Sequence, residues 1–477
     1  MIFTNFDFLV FLSVLLPTYW LIAGARLRKG LLVVASLYFY GYWDFRFVPL
    51  LVAVALIAWA AAREWPQWPM RRATLVAVAV GVLLGVLGLF KYTGFLADTL
   101  TSLAALAGFS ADTLWRPSLI LPVGISFFTF QAISYLVDVR RGHVASHGFV
   151  DVLLYLSLFP QLVAGPIVRA ADFFPQLASA RRFVAAEIVE GCRLFLLGLV
   201  YKAVLADNIA RLIDPVWRDV ATASSADLVA AAVGFYAQIY FDFNGYSLMA
   251  IGVAAMFGFL IPANFDYPYA AVSLTDFWRR WHMSLSQWLR DYLYIPLGGS
   301  RGGALLAYRN VMLTMLLGGL WHGASWNFVL WGGLHGLGLC IERAWRQAVG
   351  RLGQDGTESA FLASVALAGL GWLWTQGIVL ALWVPFRAAT TSDAITVLSA
   401  LAGQHEGGGP ALLPGWLVPG LMAVLAADVL AGRWRQRSGR DAVIGNPVVV
   451  ALVLAAMLAL VALFISLEVQ PFIYFQF

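Results

Sequence analysis

The stretch NVMLTMLLGGLWHGASWNFVLWGGLHGLGLCI, residues 310–341, contains no Asp, Glu, Lys or Arg, yet it holds His322 and His335. A helix crosses the hydrocarbon of a bilayer in about 20 residues, so this run is too long for one span and too short for two relaxed ones. Arg279, Arg280, Arg290, Arg301 and Arg309 precede it, and Arg343 and Arg346 follow it. Basic residues gather on the cytoplasmic side of membrane proteins, which places both ends of the run on one side. The expected structure is a broken hairpin, with Gly332 and Gly333 available for the break.

The rest of the chain reads the same way. Of its 477 residues 61% are hydrophobic and only 12% charged, against about 25% charged in a soluble domain, and mean hydropathy is +0.79. That excludes a soluble enzyme and a disordered chain. Runs 8–25, 73–90, 117–137, 359–386, 407–427 and 442–467 are free of charge. Runs 30–43 and 47–62 are shorter and would tilt or pack as a pair. Segment 188–206 is apolar apart from Arg193 and Lys202, while 152–168 and 228–265 are harder to draw. Arginines flank 152–168 on both sides, and Pro160, Gly165 and Pro166 interrupt it, as in a re-entrant segment. The expected fold is an all-α polytopic membrane protein of about ten to twelve transmembrane helices, some re-entrant or broken, in a single domain over 1–477.

The first basic residue, Arg26, lies behind the first apolar run, where a signal peptide carries its charge in front. The first helix is therefore expected to be retained, with both termini outside. Residues 266–309 are expected to form a cytoplasmic interfacial segment, and 388–412, with Gly407, Gly408 and Gly409, a flexible external loop. The net charge of +5 comes from 31 basic residues, all but three of them arginine. Positive cytoplasmic loops account for it, and nucleic acid is not expected as a partner. Cys192 and Cys340 have no metal or redox spacing and read as inert buried thiols. No internal repeat of the kind common in transporters is present.

Ionisable residues inside a membrane are costly and mark function by default. His322 stands 13 residues past Arg309, about 20 Å along a straight helix, and a neutral imidazole there can take a proton from a hydroxyl. On one unbroken helix His335 would point elsewhere, so the two share a site only if the segment bends. Asp242, in YFDFNGYS (240–247), could orient a histidine, bind substrate, or pair with Arg193 or Lys202, and Asn244-Gly245 suggests a turn. The segment DFWRRWHMSLSQWLRD (276–291) reads as an interfacial helix. Its Arg279, Arg280 and Arg290 could hold a phosphorylated cytosolic donor, although Asp276 and Arg280 at i,i+4 also suit a plain ion pair. The glycine loop 296–303 matches no known phosphate loop. No metal cluster and no nucleophile elbow is visible.

The stretches TDFWRRWHMSLS (275–286), WLRDYLYI (288–295) and GGLWHG (318–323) resemble the membrane-bound O-acyltransferase family. More narrowly, they resemble its bacterial branch with the membrane subunit of alginate O-acetyltransferase. LPVGISF (121–127), FPQLVAGP (159–166), YFDFNGYS and the C-terminal FIYFQF (472–477) support this, with Asn244 where the branch has Ser. The resemblance implies His322 and His282 as catalytic histidines, with His335 and Asp242 in support. It also implies a thioester donor such as acetyl-CoA or an acyl-carrier protein, with no permanently bound cofactor. The partners it implies are an exported SGNH-type acetyltransferase and a polysaccharide synthesis complex at a bacterial inner membrane. D-alanyl transfer to teichoic acid, or acetylation of peptidoglycan or cellulose, are the sister activities. A transporter or an export scaffold would be the non-enzymatic readings.

Overall fold

The computed structural model describes residues 1–63, 71–108, 119–179, 181–349, 358–405, 409–438, 447–465 and 472–473, and every regular element among them is helical. Two compact units emerge: residues 1–195 with 246–262, and residues 196–245 with 263–477.

The first unit contains α1 (Phe6–Leu21), α2 (Ala25–Asp44), α3 (Val48–Ala62), α4 (Arg71–Leu106), α5 (Ile125–Arg141), α6 (Phe149–Ser157), α7 (Phe159–Leu162), α8 (Ala170–Ala178) and the start of α9 (Ala185–Leu199). Phe3, Phe8, Phe39 and Phe159 are fully buried in its core, with ring centroids 4.8 Å apart for Phe3 and Phe8 and 5.6 Å apart for Phe39 and Phe159. The expected break in 152–168 is present, since α6 stops before Leu158 and α7 is a single turn. Pro160 opens α7, where its missing N–H is tolerated, and the chain turns at 163–165.

The second unit begins with a π-helical turn, Val200–Ala206, followed by α10 (Asp207–Arg218) and α11 (Ser225–Met256), whose residues 225–245 belong here. Next come α12 (Leu274–Arg280), α13 (Met283–Leu289), a π turn (Arg290–Tyr294), α14 (Ala304–His322), α15 (Trp326–Val349), α16 (Glu358–Arg387), α17 (Thr391–Leu401), α18 (Leu417–Ser438) and α19 (Pro447–Phe464). The helices α14 and α15 are the expected hairpin, but the break falls at 323–325 and not at Gly332-Gly333. Gly332 serves packing instead. A Cβ on Gly319 would lie 2.2 Å from the Phe328 carbonyl oxygen, and one on Gly332 would lie 2.2 Å from that of Met315. Small residues let helix backbones touch where hydrocarbon supplies no hydrophobic drive for association.

Two further expectations are corrected. Residues Asn244-Gly245 make no turn, because α11 runs through them. An unbroken helix satisfies its own backbone in a membrane, and Gly245 is needed for closeness, since its Cβ would meet the Gly198 oxygen at 2.8 Å. Segment 388–412 is not simply a loop. Thr390 and Asp393 form a reciprocal capping box that starts α17. Gly407 and Gly408 lie outside the described residues. Six helical stretches among the described residues are long and apolar enough to cross a membrane on length and composition: Ala25–Ala62, Ala73–Leu106, Ala304–His322, Leu367–Arg387, Leu417–Trp434 and Pro447–Phe464. The expected count of about ten to twelve also included shorter or more polar runs such as α1 and α9. Cys192 and Cys340 are free thiols, only partly buried.

Adding a methyl to the hairpin contact tests this packing. Gly332→Ala is expected to lower the stability of detergent-purified protein by about 1–3 kcal/mol, the usual cost of overpacking, while Leu305→Ala, on an exposed side chain, leaves it unchanged. Equal thermal unfolding midpoints for Gly332→Ala and wild type would rule the close contact out.

Candidate active site

The site is built in the second unit from the hairpin and the two short helices before it. His322 is the last residue of α14 and is only 5% exposed. His335 lies on α15, one turn beyond Trp331, and is fully buried. His282 occupies the joint between α12 and α13 and is also fully buried. The bend at 323–325 does what a straight helix could not. The rings of His322 and His335 both meet Trp331, at centroid distances of 5.0 and 4.8 Å. His282 lies 6.3 Å from His322, with Trp321 beside both. Phe243, Trp383 and Phe386 complete an aromatic wall, Phe243 edge-on to His282 at 4.6 Å and Phe386 5.3 Å from His322.

A cavity of about 420 Å³ reaches this group and is lined by Trp278, Arg279, Arg290, Tyr294, Thr314, His322 and Trp331 among others. Arg279 and Arg290 are exposed and His322 is buried. The arginines therefore stand at the open rim, with the imidazole at the inner end. Arg290 also donates to Asp291 at 2.8 Å. Arg280 is absent from the lining. It donates to Asp276 at 2.9 Å, the i,i+4 pair that the spacing allowed, and to Asp266. His282 is likewise no part of the lining and backs His322 from within the protein. The loop 296–303 contributes no lining residue among those described.

The remaining sequence candidates have other neighbours. The Trp278 Nε1–H donates to His335 Nδ1 at 3.4 Å. An indole N–H only donates, so this contact requires a lone pair on Nδ1 and the proton on Nε2. His335 in that state anchors a wall of the cavity. Asp242 accepts a charged hydrogen bond from Lys202 and one from the Ile473 N–H at 2.8 Å. Lys202 also pairs with Asp207 at 2.7 Å. Of the alternatives open for Asp242, the ion pair with Lys202 is the one present, and Arg193 instead pairs with Glu190. Two acidic groups escaped the sequence reading. Asp207 closes the π turn immediately after the run 188–206. Asp428, on α18, accepts from the hydroxyls of Tyr201 and Tyr240; only its position at the end of the apolar run 407–427 could have drawn attention to it.

Residues 86–357, which include all three histidines, match the family model for membrane-bound O-acyltransferases. The chain is 41% identical over 406 residues to a probable alginate O-acetylase of Pseudomonas aeruginosa, an alignment covering 84% of this chain and 75% of that protein. This chain belongs to the membrane-bound O-acyltransferase family. It is also 36% identical over 403 residues to a peptidoglycan O-acetyltransferase of Helicobacter pylori, covering 78% of this chain and 73% of that protein. With a teichoic acid D-alanyltransferase of Streptococcus thermophilus identity is 28% over 257 residues, covering 50% of this chain and 60% of that protein. The chain is a multi-pass membrane O-acyltransferase, and the transporter and scaffold readings give way to an enzyme.

Inside such an acyltransferase the Lys202 group is a one-sided arrangement, one cation between two carboxylates, each less than a tenth exposed. Breaking a buried ion pair leaves charge without compensation and costs about 3–5 kcal/mol. Lys202→Met is therefore expected to unfold at markedly lower temperature than wild type in detergent. A variant of unchanged stability would show that the carboxylates do not need the ammonium.

Proposed function

We propose that this acyltransferase takes an acetyl group from a cytosolic thioester and passes it across the bilayer for O-acetylation of an exported, alginate-like polysaccharide, with His322 as general base. The observation that carries the reading is the single cavity with arginines at its rim and a buried imidazole at its inner end. Arginine matches phosphate in charge and in its fork of donors, so Arg279 and Arg290 would hold the phosphates of acetyl-CoA or of a phosphopantetheine carrier. A pantetheine arm is narrow and largely apolar, like the lining supplied by Met283, Leu285, Met315 and Trp331. It would bring the thioester carbonyl to His322.

The chemistry needs few groups. His322 removes the proton as the acceptor hydroxyl attacks the carbonyl carbon. A C–O bond forms, the C–S bond breaks, and the imidazolium returns the proton to the departing thiolate. The buried aromatic wall keeps water from competing for the acetyl group. His282, 6.3 Å away, would support the orientation of His322. The rim arginines belong to the basic segments that the charge distribution assigns to the cytosol, which agrees with a cytosolic donor and a bacterial inner membrane. The acceptor side would be served by an exported acetyltransferase working with the polysaccharide synthesis complex. Acetyl is preferred over D-alanyl because the O-acetylating relatives match at 41% and 36% identity and the D-alanylating one at 28% over half the chain.

The test is transfer of labelled acetyl from acetyl-CoA, in sealed vesicles, to the exported acetyltransferase of the same locus. Wild type is expected to transfer label, and His322→Ala to lose at least about a hundredfold in rate, the scale of a lost general base. Full transfer by His322→Ala would remove the base assignment. In the same assay Arg279→Ala and Arg290→Ala are expected to raise the donor KM by about tenfold each, as loss of a charge-assisted hydrogen bond does, with kcat little changed. An unchanged KM would place the phosphates elsewhere.

A further inference from the structure

His282 has a backbone that side chains resist. Its φ of 41° and ψ of 54° are left-handed, a region where a Cβ crowds the following carbonyl. Tyr267 is the other non-glycine residue with positive φ among those described. Such a conformation persists only where neighbours over-determine it. Here they are all in one segment. The Asp266 N–H donates to the Arg280 carbonyl at 3.0 Å on one side of His282, and the Met283 N–H donates to the Asn264 carbonyl at 2.9 Å on the other. The Asn264 side chain adds a third hold. Its Oδ1 accepts from the Ser284 hydroxyl at 2.6 Å and from the Ser284 N–H at 3.4 Å. Arg280 closes the bracket by donating to the Asp266 carbonyl oxygen at 3.2 Å. Asn264 and Ser284 are 1% and 4% exposed, so neither amide nor hydroxyl lies there for the sake of water.

We propose that Asn264 is a positioning residue of the transfer reaction, gripping the chain on the far side of His282 so that its imidazole stays between Phe243 and His322. The proposal rests on the reading of His322 as the base. A side chain on a left-handed residue leaves the backbone in a direction unlike that on the helix beginning at Met283. If the grip opens and His282 relaxes to a right-handed conformation, its ring leaves the side of His322. The bracket also gives Arg280 a purpose at a distance from the donor cavity, in contrast to Arg279 and Arg290.

The experiment compares Ser284→Ala, Ser284→Thr, Asn264→Ala and His322→Ala in vesicles, with thermal unfolding and the stoichiometry of acetyl-CoA binding measured for each. Losing the serine hydroxyl leaves a buried acceptor poorly satisfied. Ser284→Ala is expected to lower kcat about tenfold with the donor KM changed less than about twofold, since its side chain lines no part of the cavity. Ser284→Thr, which keeps the hydroxyl, is expected to recover most of that loss, and Asn264→Ala to exceed it. Wild-type kcat in Ser284→Ala, or a loss in Ser284→Thr as large as in Ser284→Ala, would overturn the proposal. So would a fall in kcat matched by an equal fall in binding stoichiometry, because that marks lost fold. Full activity in His322→Ala strikes at the base assignment instead, and the two failures are therefore told apart. The serine pair decides the matter even if Asn264→Ala does not fold.

Discussion

The contact between the backbones at Gly319 and Gly332 is the constraint on which the site depends. Two helices whose main chains touch cannot slide or rotate without a clash, so the position of one fixes the other. The bend at 323–325 then turns the end of α14 back over α15, and His322 falls on the same face as Trp331 and His335. Hydrocarbon outside the hairpin offers no partner for a polar group. The imidazoles therefore have to be accommodated by the protein itself, and the tryptophans and phenylalanines around them supply both the packing and the dryness.

Charge is used in two ways in the second unit, and burial separates them. Arg279 and Arg290 stay exposed where a flexible, solvated cation can meet an anion arriving from water. Lys202 is enclosed between Asp207 and Asp242, and such a group is fixed by its partners and cannot serve an incoming ligand. Arg280 belongs with the second kind although it sits one residue from Arg279. Successive residues on a helix differ by about 100° in direction, which is enough to send one guanidinium to the cavity and the next to Asp266 and Asp276.

Much of this was legible in the sequence. Uncharged runs show where helices lie, because a bilayer punishes charge at any position along a span. The need for a bend between His322 and His335 follows from helix geometry, and the flanking arginines show that both ends of the hairpin belong on one side. The location of the bend was not legible, since glycine serves both turns and close packing and Gly332 turned out to do the latter. Asn244-Gly245 misled for the same reason. The Thr390 capping box was readable and outweighed the glycines near 407 in deciding whether a helix begins. The grip of Asn264 on Ser284 and the meeting of Asp428 with two tyrosines join residues far apart in the chain, and no local pattern signals them.

The π turn at Val200–Ala206 has a consequence for how the chain can vary. The Asp207 N–H reaches back five residues to the Lys202 carbonyl, so the segment holds one residue more than an α-helix of the same height. Removing one residue would cost the helix nothing in backbone hydrogen bonds and would bring it closer to ideal geometry. It would also rotate everything after it by about 100° relative to what comes before, parting Lys202 from Asp207. The length of this segment is thus set by where its charges must meet and not by what its backbone prefers. Substitutions can accumulate freely along its lipid-facing side, while insertions and deletions cannot.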